Sequence, residues 1–150
     1  MFKKLFIIFI SAFALNFIWE HLHSTLYVSY PGGAITDLVL FRAALFDAAL
    51  ITLFAYLCFY SPLTREALRL PSRRRGVISL FVFTFSLLFF AVLLETWALL
   101  TGRWVYADAM PIIPLLDVGL TPAIQLALTG YITHKALDWF SLTFNTHLVG

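Results

Sequence analysis

The feature that most limits how this chain can fold is a series of long apolar stretches separated by short polar ones. The clearest stretch runs from Val77 to Leu100 and carries no charged residue before Glu95. A helix of about 20 apolar residues is enough to cross a hydrocarbon core of about 30 Å. These stretches lack the alternation of apolar and polar residues that a membrane β-barrel requires. The pattern therefore predicts membrane-spanning helices.

Composition supports a membrane location. The 150 residues are 61% hydrophobic and 12% charged, whereas soluble domains have about 25% charged residues. A soluble chain of this size could not bury so much apolar surface, so lipid is the expected solvent. The length suits a single domain, residues 1–150. The single Cys58 excludes an internal disulfide, and its apolar surroundings favour a thiol that packs as a small hydrophobic group.

Four stretches are predicted to span the membrane, at about 5–24, 36–60, 77–100 and 112–132. The predicted fold class is therefore all-α, an integral membrane bundle of four transmembrane helices. The first stretch has an alternative interpretation, because Ala12-Phe13-Ala14 resembles the cleavage site of a signal peptide. Whether residues 1–14 are cleaved is left open, although hydrophobicity that continues through Trp19 favours an uncleaved helix.

The distribution of Lys and Arg predicts the orientation of the bundle. The polar loop 61–76 opposes the single acid Glu66 with five arginines, which are Arg65, Arg69, Arg73, Arg74 and Arg75. Lys3, Lys4 and Lys135 fall on the same side of a four-span protein. The positive-inside rule then predicts that both termini and this loop are cytoplasmic, most simply in a bacterial inner or plasma membrane. Contact with anionic lipid explains the basic run, so nucleic-acid binding is not expected.

Each predicted helix carries an ionisable residue near the same end. At about 1.5 Å per residue, Glu20, Arg42, Glu95 and Asp117 lie roughly 6–9 Å below the outer surface. Because a charge in the membrane is costly, we expect these four to form an inward-facing cluster that opens toward the outer side. The alternative is that Arg42 only pairs with Glu20 or Glu95 and holds the helices together. Asp47 is expected to lie deeper and to face another direction.

Helical spacing groups further polar residues. Asn16, Glu20 and His23 share one face of the first helix, and Asp117, Thr121 and Gln125 share one face of the fourth. Glu20-His21-Leu22-His23 contains one Glu-x-x-His, whereas di-metal bundles need two copies and two more carboxylates. A single metal on Glu20, His23 and Glu95 is an alternative to hydrogen-bonding histidines. No metal and no cofactor are part of the prediction.

The connector between the third and fourth stretches is rich in aromatic residues. Gly102-Arg103-Trp104-Val105-Tyr106 predicts either an ordered turn at headgroup depth or a lid over an apolar ligand. In the second case Arg103 would meet a phosphate or carboxylate, and Trp97 would stack on the same ligand. Pro122, inside the fourth stretch, predicts a bend in that helix.

These residues also support a resemblance to a known family. Glu95, the Gly102-Arg103-Trp104-Val105-Tyr106 segment and the proline-bearing helix after it resemble part of the membrane-embedded lycopene cyclase type of carotenoid enzyme. The resemblance implies acid-initiated, redox-neutral ring closure of a polyene within the bilayer, and it extends to Glu95, Trp104 and Tyr106. The family's paired glutamates after a proline are replaced here by Ala123-Ile124-Gln125. In layout the chain also resembles small four-span bacterial membrane proteins of unknown function.

The sequence thus predicts a small membrane protein with a polar site near the outer face that binds or acts on an apolar or isoprenoid-like lipid. Glu95 and Glu20 are the candidate catalytic residues. Candidate ligand-binding residues are Arg42, Trp97, Arg103, Trp104, Tyr106, Asp117 and Gln125. The alternative is a non-enzymatic, transporter-like or membrane-complex assembly subunit in which Asp47 and Glu95 form a proton path or join helices. Whether chemistry occurs is left open, and expected partners are membrane lipid, an apolar small molecule and a homo- or hetero-oligomeric subunit.

Overall fold

The computed structural model describes residues 1–29, 33–67 and 71–146. The elements are, in chain order, α1 (Phe2–His23), a 3-10 turn (Ser24–Leu26), β1 (Tyr27–Ser29), α2 (Asp37–Ala55), a π-helical turn (Tyr56–Tyr60), α3 (Pro62–Ala67), α4 (Ser72–Leu100), β2 (Val105–Tyr106), β3 (Ile112–Ile113), β4 (Val118–Gly119) and α5 (Leu120–Thr146). The prediction of a mainly helical chain is confirmed.

Three described segments are helical, long and apolar enough to cross a membrane. They are Phe2–Leu26, Asp37–Tyr60 and Ser72–Leu100. Much of their large apolar surface faces outward, as in the row of Phe81, Phe85 and Phe89 along α4. Soluble monomers rarely expose contiguous apolar patches of this kind. The chain therefore has the character of a multi-pass membrane protein.

The helices pack in two main pairs. Helix α1 lies against α2, and α4 lies against α5, while α1 also contacts α5 and α2 touches α4 much less. The core between them contains Ile8, Ile51, Phe83 and Leu87. Small residues allow close approach: a Cβ on Gly130 of α5 would lie 2.5 Å from Cδ1 of Leu87 on α4. Such small residues are typical of helix contacts in membranes.

The fourth helix begins later than predicted. Residues 112–119 form a β-hairpin in which Ile112 pairs with Gly119 and Ile113 with Val118. The turn includes Asp117, which has a φ of 53°, a left-handed conformation that aspartate adopts more readily than most residues. The predicted start at residue 112 is therefore wrong.

Two further details at the starts of helices differ from the predictions: the effect of Pro122 and the first residue of α4. Pro122 lies in the first turn of α5, where its missing N–H costs no helical hydrogen bond. It therefore opens the helix, and the bend that we predicted from it has no basis. Helix α4 already begins at Ser72, so Arg73–Arg75 lie in its first turn and not in the loop.

Helix α5 is less apolar than the other three long helices, and several of its polar residues face the interior of the bundle. Gln125, Thr129 and Thr133 are all buried. A helix that carries buried polar groups needs partners on its neighbours. The partners of Gln125 and Thr129 lie on α1 and α2 and form part of the site described below.

The end of α4 places the aromatic connector. Gly102 has a φ of 63°, and the N–H groups of Gly102 and Arg103 donate to the carbonyls of Leu99 at 3.1 Å and Ala98 at 2.8 Å. This is a Schellman cap, in which glycine takes the left-handed position without a steric penalty. Strand β2 then pairs with β1, with Tyr27 opposite Tyr106. The connector is thereby tied to the end of α1.

Candidate functional site

Glu95 is the buried centre of the aromatic connector. Its Oε1 accepts hydrogen bonds from Nε1 of Trp104 at 3.1 Å and from the hydroxyl of Tyr106. The backbone N–H of Gly119 donates to that same hydroxyl at 2.8 Å. An indole N–H can only donate, and a phenol that accepts from Gly119 must donate to Glu95. Oε1 is therefore a pure acceptor, and Oε2 is the oxygen that remains for a proton or a ligand.

Aromatic packing holds these donors in place. The ring of Tyr27 lies 5.9 Å from Trp104 in a T-shaped contact and 5.7 Å from Tyr106. Burial raises the pKa of both tyrosines, and the hydrogen bond to Glu95 raises the pKa of Tyr106 further. A tyrosine with a raised pKa keeps its proton at neutral pH, so Tyr106 remains a donor to Glu95.

A second polar cluster joins three helices through Gln125 on α5. Its Nε2 lies 2.6 Å from Oε1 of Glu20 on α1 and 2.8 Å from Oδ2 of Asp47 on α2. Oδ1 of Asn16 is 3.2 Å away. All three neighbours are acceptor oxygens, which fits the amide NH₂ facing them.

The hydrogen supply in this cluster is limited, because one NH₂ group has two protons for three acceptors. The hydroxyl of Thr129 lies 3.2 Å from Oδ1 of Asn16 and 2.9 Å from the backbone carbonyl oxygen of Gln125, and its single proton can serve only one of them at a time. The contacts of the Gln125 amide nitrogen with Glu20 and Asp47 are shorter than its contact with Asn16, so we assign its two protons to the two carboxyl groups. These two carboxyl groups, from α1 and α2, therefore share a single amide nitrogen of α5.

His23 is used within the bundle. It is buried, and its Nε2 is hydrogen-bonded to Oγ1 of Thr121, which links α1 to α5. Within the described ranges, no group of three or more His, Cys, Asp or Glu side chains is arranged to hold a metal ion. The alternative of a metal on Glu20, His23 and Glu95 therefore gains no support from the geometry.

Beside both clusters lies a cavity of about 600 Å³. It is at the connector end of the bundle, which we define as the end where α1 and α4 finish and α2 and α5 begin. Val39, Leu40 and Phe46 of α2 line one side of it, and Ala91 and Leu94 of α4 line another. Helices α2 and α4 contact each other little, and both contribute side chains to the cavity lining.

Most of the predicted site residues meet at this cavity. Those that line it are Glu20, Arg42, Glu95, Trp97, Arg103, Trp104 and Gln125. Tyr106 does not line the cavity but hydrogen-bonds to Glu95. Asp117 is exposed in the hairpin turn and is not among the lining residues. The predicted helical face shared by Asp117, Thr121 and Gln125 is wrong, since Asp117 precedes the helix.

Arg42 was expected to belong to an inward-facing cluster. In the structure both arginines at the cavity, Arg42 and Arg103, are exposed. Among the described residues, the ion pairs within 4 Å are His21 with Asp37 and His134 with Asp138, and neither arginine takes part in one. Arg42 thus does not form the ion pair with Glu20 or Glu95 that would hold the helices together in the alternative interpretation. The guanidinium of Arg103 lies 5.1 Å from the ring centre of Trp97.

Two members of the site were not among the candidate site residues of the first hypothesis. Asp47 was expected to face a different direction from Arg42 and to form a proton path or join helices; in the structure it lines the cavity and accepts from Gln125 on α5. Because Asp47 lies five residues after Arg42, the two side chains point in different directions from the helix, but both still line the same cavity. Tyr27 was also missed, because only the pairing of β1 with β2 brings it to the connector.

When the chain is compared with protein families, characterised proteins and solved structures, nothing matches it.

Proposed function

We propose that the protein binds an apolar, isoprenoid-like lipid in the cavity beside Glu95, within the membrane. The carrying observation is a cavity of about 600 Å³ whose lining is largely apolar and includes the carboxyl groups of Glu20, Asp47 and Glu95. Small-molecule sites typically measure about 300–1,000 Å³ and combine apolar walls with a few placed polar groups. The weak contact between α2 and α4 favours entry of a lipid chain from the bilayer.

The proposal includes the membrane arrangement predicted from the sequence. Helix α5, which has 27 residues, would be the fourth span, its buried polar groups satisfied by α1 and α2. The arginines at the start of α4 favour a cytoplasmic location for that end. The connector end, with the cavity, would then face the outer side of a bacterial inner membrane.

Acid–base chemistry on a bound double bond fits the same side chains. A carboxylic acid that protonates an alkene becomes a carboxylate and leaves a carbocation on the chain. Return of a different proton from carbon to the carboxylate completes a redox-neutral isomerisation or ring closure. Glu20 and the second oxygen of Glu95 are the groups placed for such transfers. The resemblance of Glu95, Trp104 and Tyr106 to the lycopene cyclase type of enzyme supports this assignment.

The test is photolabelling with a prenyl alcohol that carries a diazirine, using the full chain in lipid vesicles. We expect label on the cavity-lining segments of α2 and α4. Leu94→Trp fills the cavity and should lower labelling several-fold. Leu93→Trp is the matched control, because Leu93 is the exposed neighbour on the same helix. Label spread over the outer faces and insensitive to Leu94→Trp would refute the proposal.

A second candidate function is a non-enzymatic assembly or transporter-like subunit. The observation that favours it is Gln125, which joins α1, α2 and α5 and could serve only to hold them. If these groups only hold helices together in an assembly subunit, Glu95→Gln should leave the cellular phenotype unchanged, and affinity purification should recover a stoichiometric membrane partner. If Glu95 belongs to the proton path of a transporter-like subunit, Glu95→Gln should instead abolish proton-coupled uptake in proteoliposomes. A lipid site predicts the reverse of the assembly case, namely a phenotype of Glu95→Gln without loss of the folded protein.

A further inference from the structure

The two arginines at the cavity have charges that the described part of the chain does not neutralise. Arg42 comes from the second turn of α2, and Arg103 comes from the connector immediately after α4. Both line the cavity at its connector end, and both are exposed. Arginine stays protonated under all ordinary conditions, so the cavity lining carries two fixed positive charges.

The carboxyl groups of the same cavity are not their counter-ions. Glu95 accepts from Trp104 and Tyr106. Glu20 and Asp47 accept from Gln125. Each acid thus accepts from an uncharged donor, and none lies within 4 Å of either arginine among the described residues. The cavity lining therefore contains two kinds of charged residue: acids that have uncharged partners, and two exposed arginines that have no acid within 4 Å among the described residues.

Arg103 is also held in position. Its guanidinium lies over the ring of Trp97, 5.1 Å from the centre, within the range of a cation–π contact. The Schellman cap at Gly102 fixes the backbone that carries it. A guanidinium oriented by stacking keeps its N–H groups at the edge available for an acceptor. Planar guanidinium groups match phosphate oxygens in pairs of hydrogen bonds.

From this placement we propose that Arg42 and Arg103 bind the phosphate headgroup of the lipid whose chain occupies the cavity. The inference rests on the proposed function and names its ligand class, a single-chain prenyl-type lipid that ends in a phosphate or diphosphate. A phosphate carries up to two negative charges near neutral pH, which matches two arginines better than the single charge of a fatty acid does.

The same placement sets which part of the chain meets the acids. Asp47 lies five residues further along α2 than Arg42, which corresponds to roughly 7–8 Å along the helix axis. A headgroup at the arginines therefore puts the first carbons of the chain beside Glu20 and Asp47. The site would act near the phosphate end of the lipid and not at a distant end.

The experiment compares three C20 probes on the full chain in neutral lipid nanodiscs: a prenyl alcohol, the corresponding prenyl monophosphate and a fatty acid. Binding is read from the fluorescence of tryptophan, since Trp97 and Trp104 line the cavity. We expect the monophosphate to bind most tightly, with an affinity that falls as salt rises. Arg42→Gln and Arg103→Gln should each weaken monophosphate binding roughly ten-fold, as expected for a lost charge-assisted hydrogen bond, and leave the alcohol unaffected.

Two controls accompany these variants. Arg74→Gln removes an exposed arginine at the other end of α4 and should change neither affinity. Arg42→Lys and Arg103→Lys keep the charge but lose the paired hydrogen bonds, so they should retain part of the monophosphate affinity even where a glutamine variant folds poorly. Inorganic phosphate is added as a competitor to distinguish a lipid headgroup from a free anion.

The outcomes separate this inference from the proposed function. Equal binding of alcohol and monophosphate, unchanged by the arginine variants, overturns the headgroup site and leaves the lipid cavity intact. Preference for the fatty acid overturns it as well. Binding of inorganic phosphate with the same arginine dependence, but no binding of the prenyl chain, overturns the lipid assignment. If no probe binds and Leu94→Trp changes nothing, the proposed function itself fails.

Discussion

The hydroxyl of Tyr106 shows how much of this site depends on single hydrogen bonds. It accepts from Gly119 and donates to Glu95. Tyr106→Phe leaves a backbone donor without its acceptor and removes one donor from a buried carboxyl group. We expect a loss of about 1–3 kcal/mol in unfolding free energy, seen as a lower thermal midpoint in detergent. Because the pKa of Tyr106 is raised, the loss should be constant across the neutral pH range.

The matched control for this prediction is Tyr131→Phe, since the ring of Tyr131 is exposed on α5. Its contact with Lys135 is a ring contact that phenylalanine preserves. Equal thermal midpoints for Tyr106→Phe and Tyr131→Phe would mean that the bridge from Gly119 to Glu95 does not contribute to stability.

Gln125 supports a second prediction on the same scale. Gln125→Leu introduces an apolar side chain of similar size and removes the donor shared by Glu20 and Asp47, so both carboxyl groups lose a partner. We expect a destabilisation of about 1–3 kcal/mol, measured by thermal unfolding. Gln125→Glu should be worse at neutral pH, because it places a third carboxyl group there, and should recover as the pH falls and protons are shared. A Gln125→Leu variant as stable as the parent would rule out the donor role.

At the level of helices, the contact between α4 and α5 depends on a residue without a side chain. A Cβ on Gly130 would lie 2.5 Å from Leu87 and 3.3 Å from Phe83, both buried. Gly130→Ala should therefore cost about 1–3 kcal/mol through overpacking, even though alanine is the better helix former. Gly76→Ala is the control, because nothing lies within 4 Å of its Cβ position, and it should be neutral or slightly stabilising. Equal shifts for both variants would contradict this packing.

Helix existence could be predicted from the sequence, whereas helix rotation could not. The apolar composition of runs such as Val77–Leu94 is typical of helices that lie in lipid. The same runs are apolar on all sides, so their pattern gives no preferred inner face. Only the scattered polar residues indicate the inner face of a helix. They indicated it correctly for Glu20 and Glu95, which line the cavity. They failed for Asp117, since Pro111 and Pro114 begin a hairpin in a segment whose hydrophobicity resembled a helix.

For the whole molecule, the convergence of side chains could be expected only in part. Depth along each helix placed Glu20, Arg42 and Glu95 at one level, and the structure brings all three to one cavity. The hydrogen-bond partners depended on contacts remote in sequence, such as Tyr27 with Trp104 and Gln125 with Asp47. No local pattern encodes those contacts.

The orientation of the bundle is the property on which the direction of lipid entry depends. In a Cys58→Ala background, Asp108→Cys in the exposed connector should react with a membrane-impermeant maleimide in intact cells, because the connector end is expected outside. Glu66→Cys, on the exposed side of α3, should react only after lysis. A C-terminal tag should be protected from external protease, since α5 is expected to return the chain to the cytoplasm. External digestion of the tag together with labelling at position 108 would mean that α5 does not cross, and the cavity would then lie between three spans and a helix outside the hydrocarbon core.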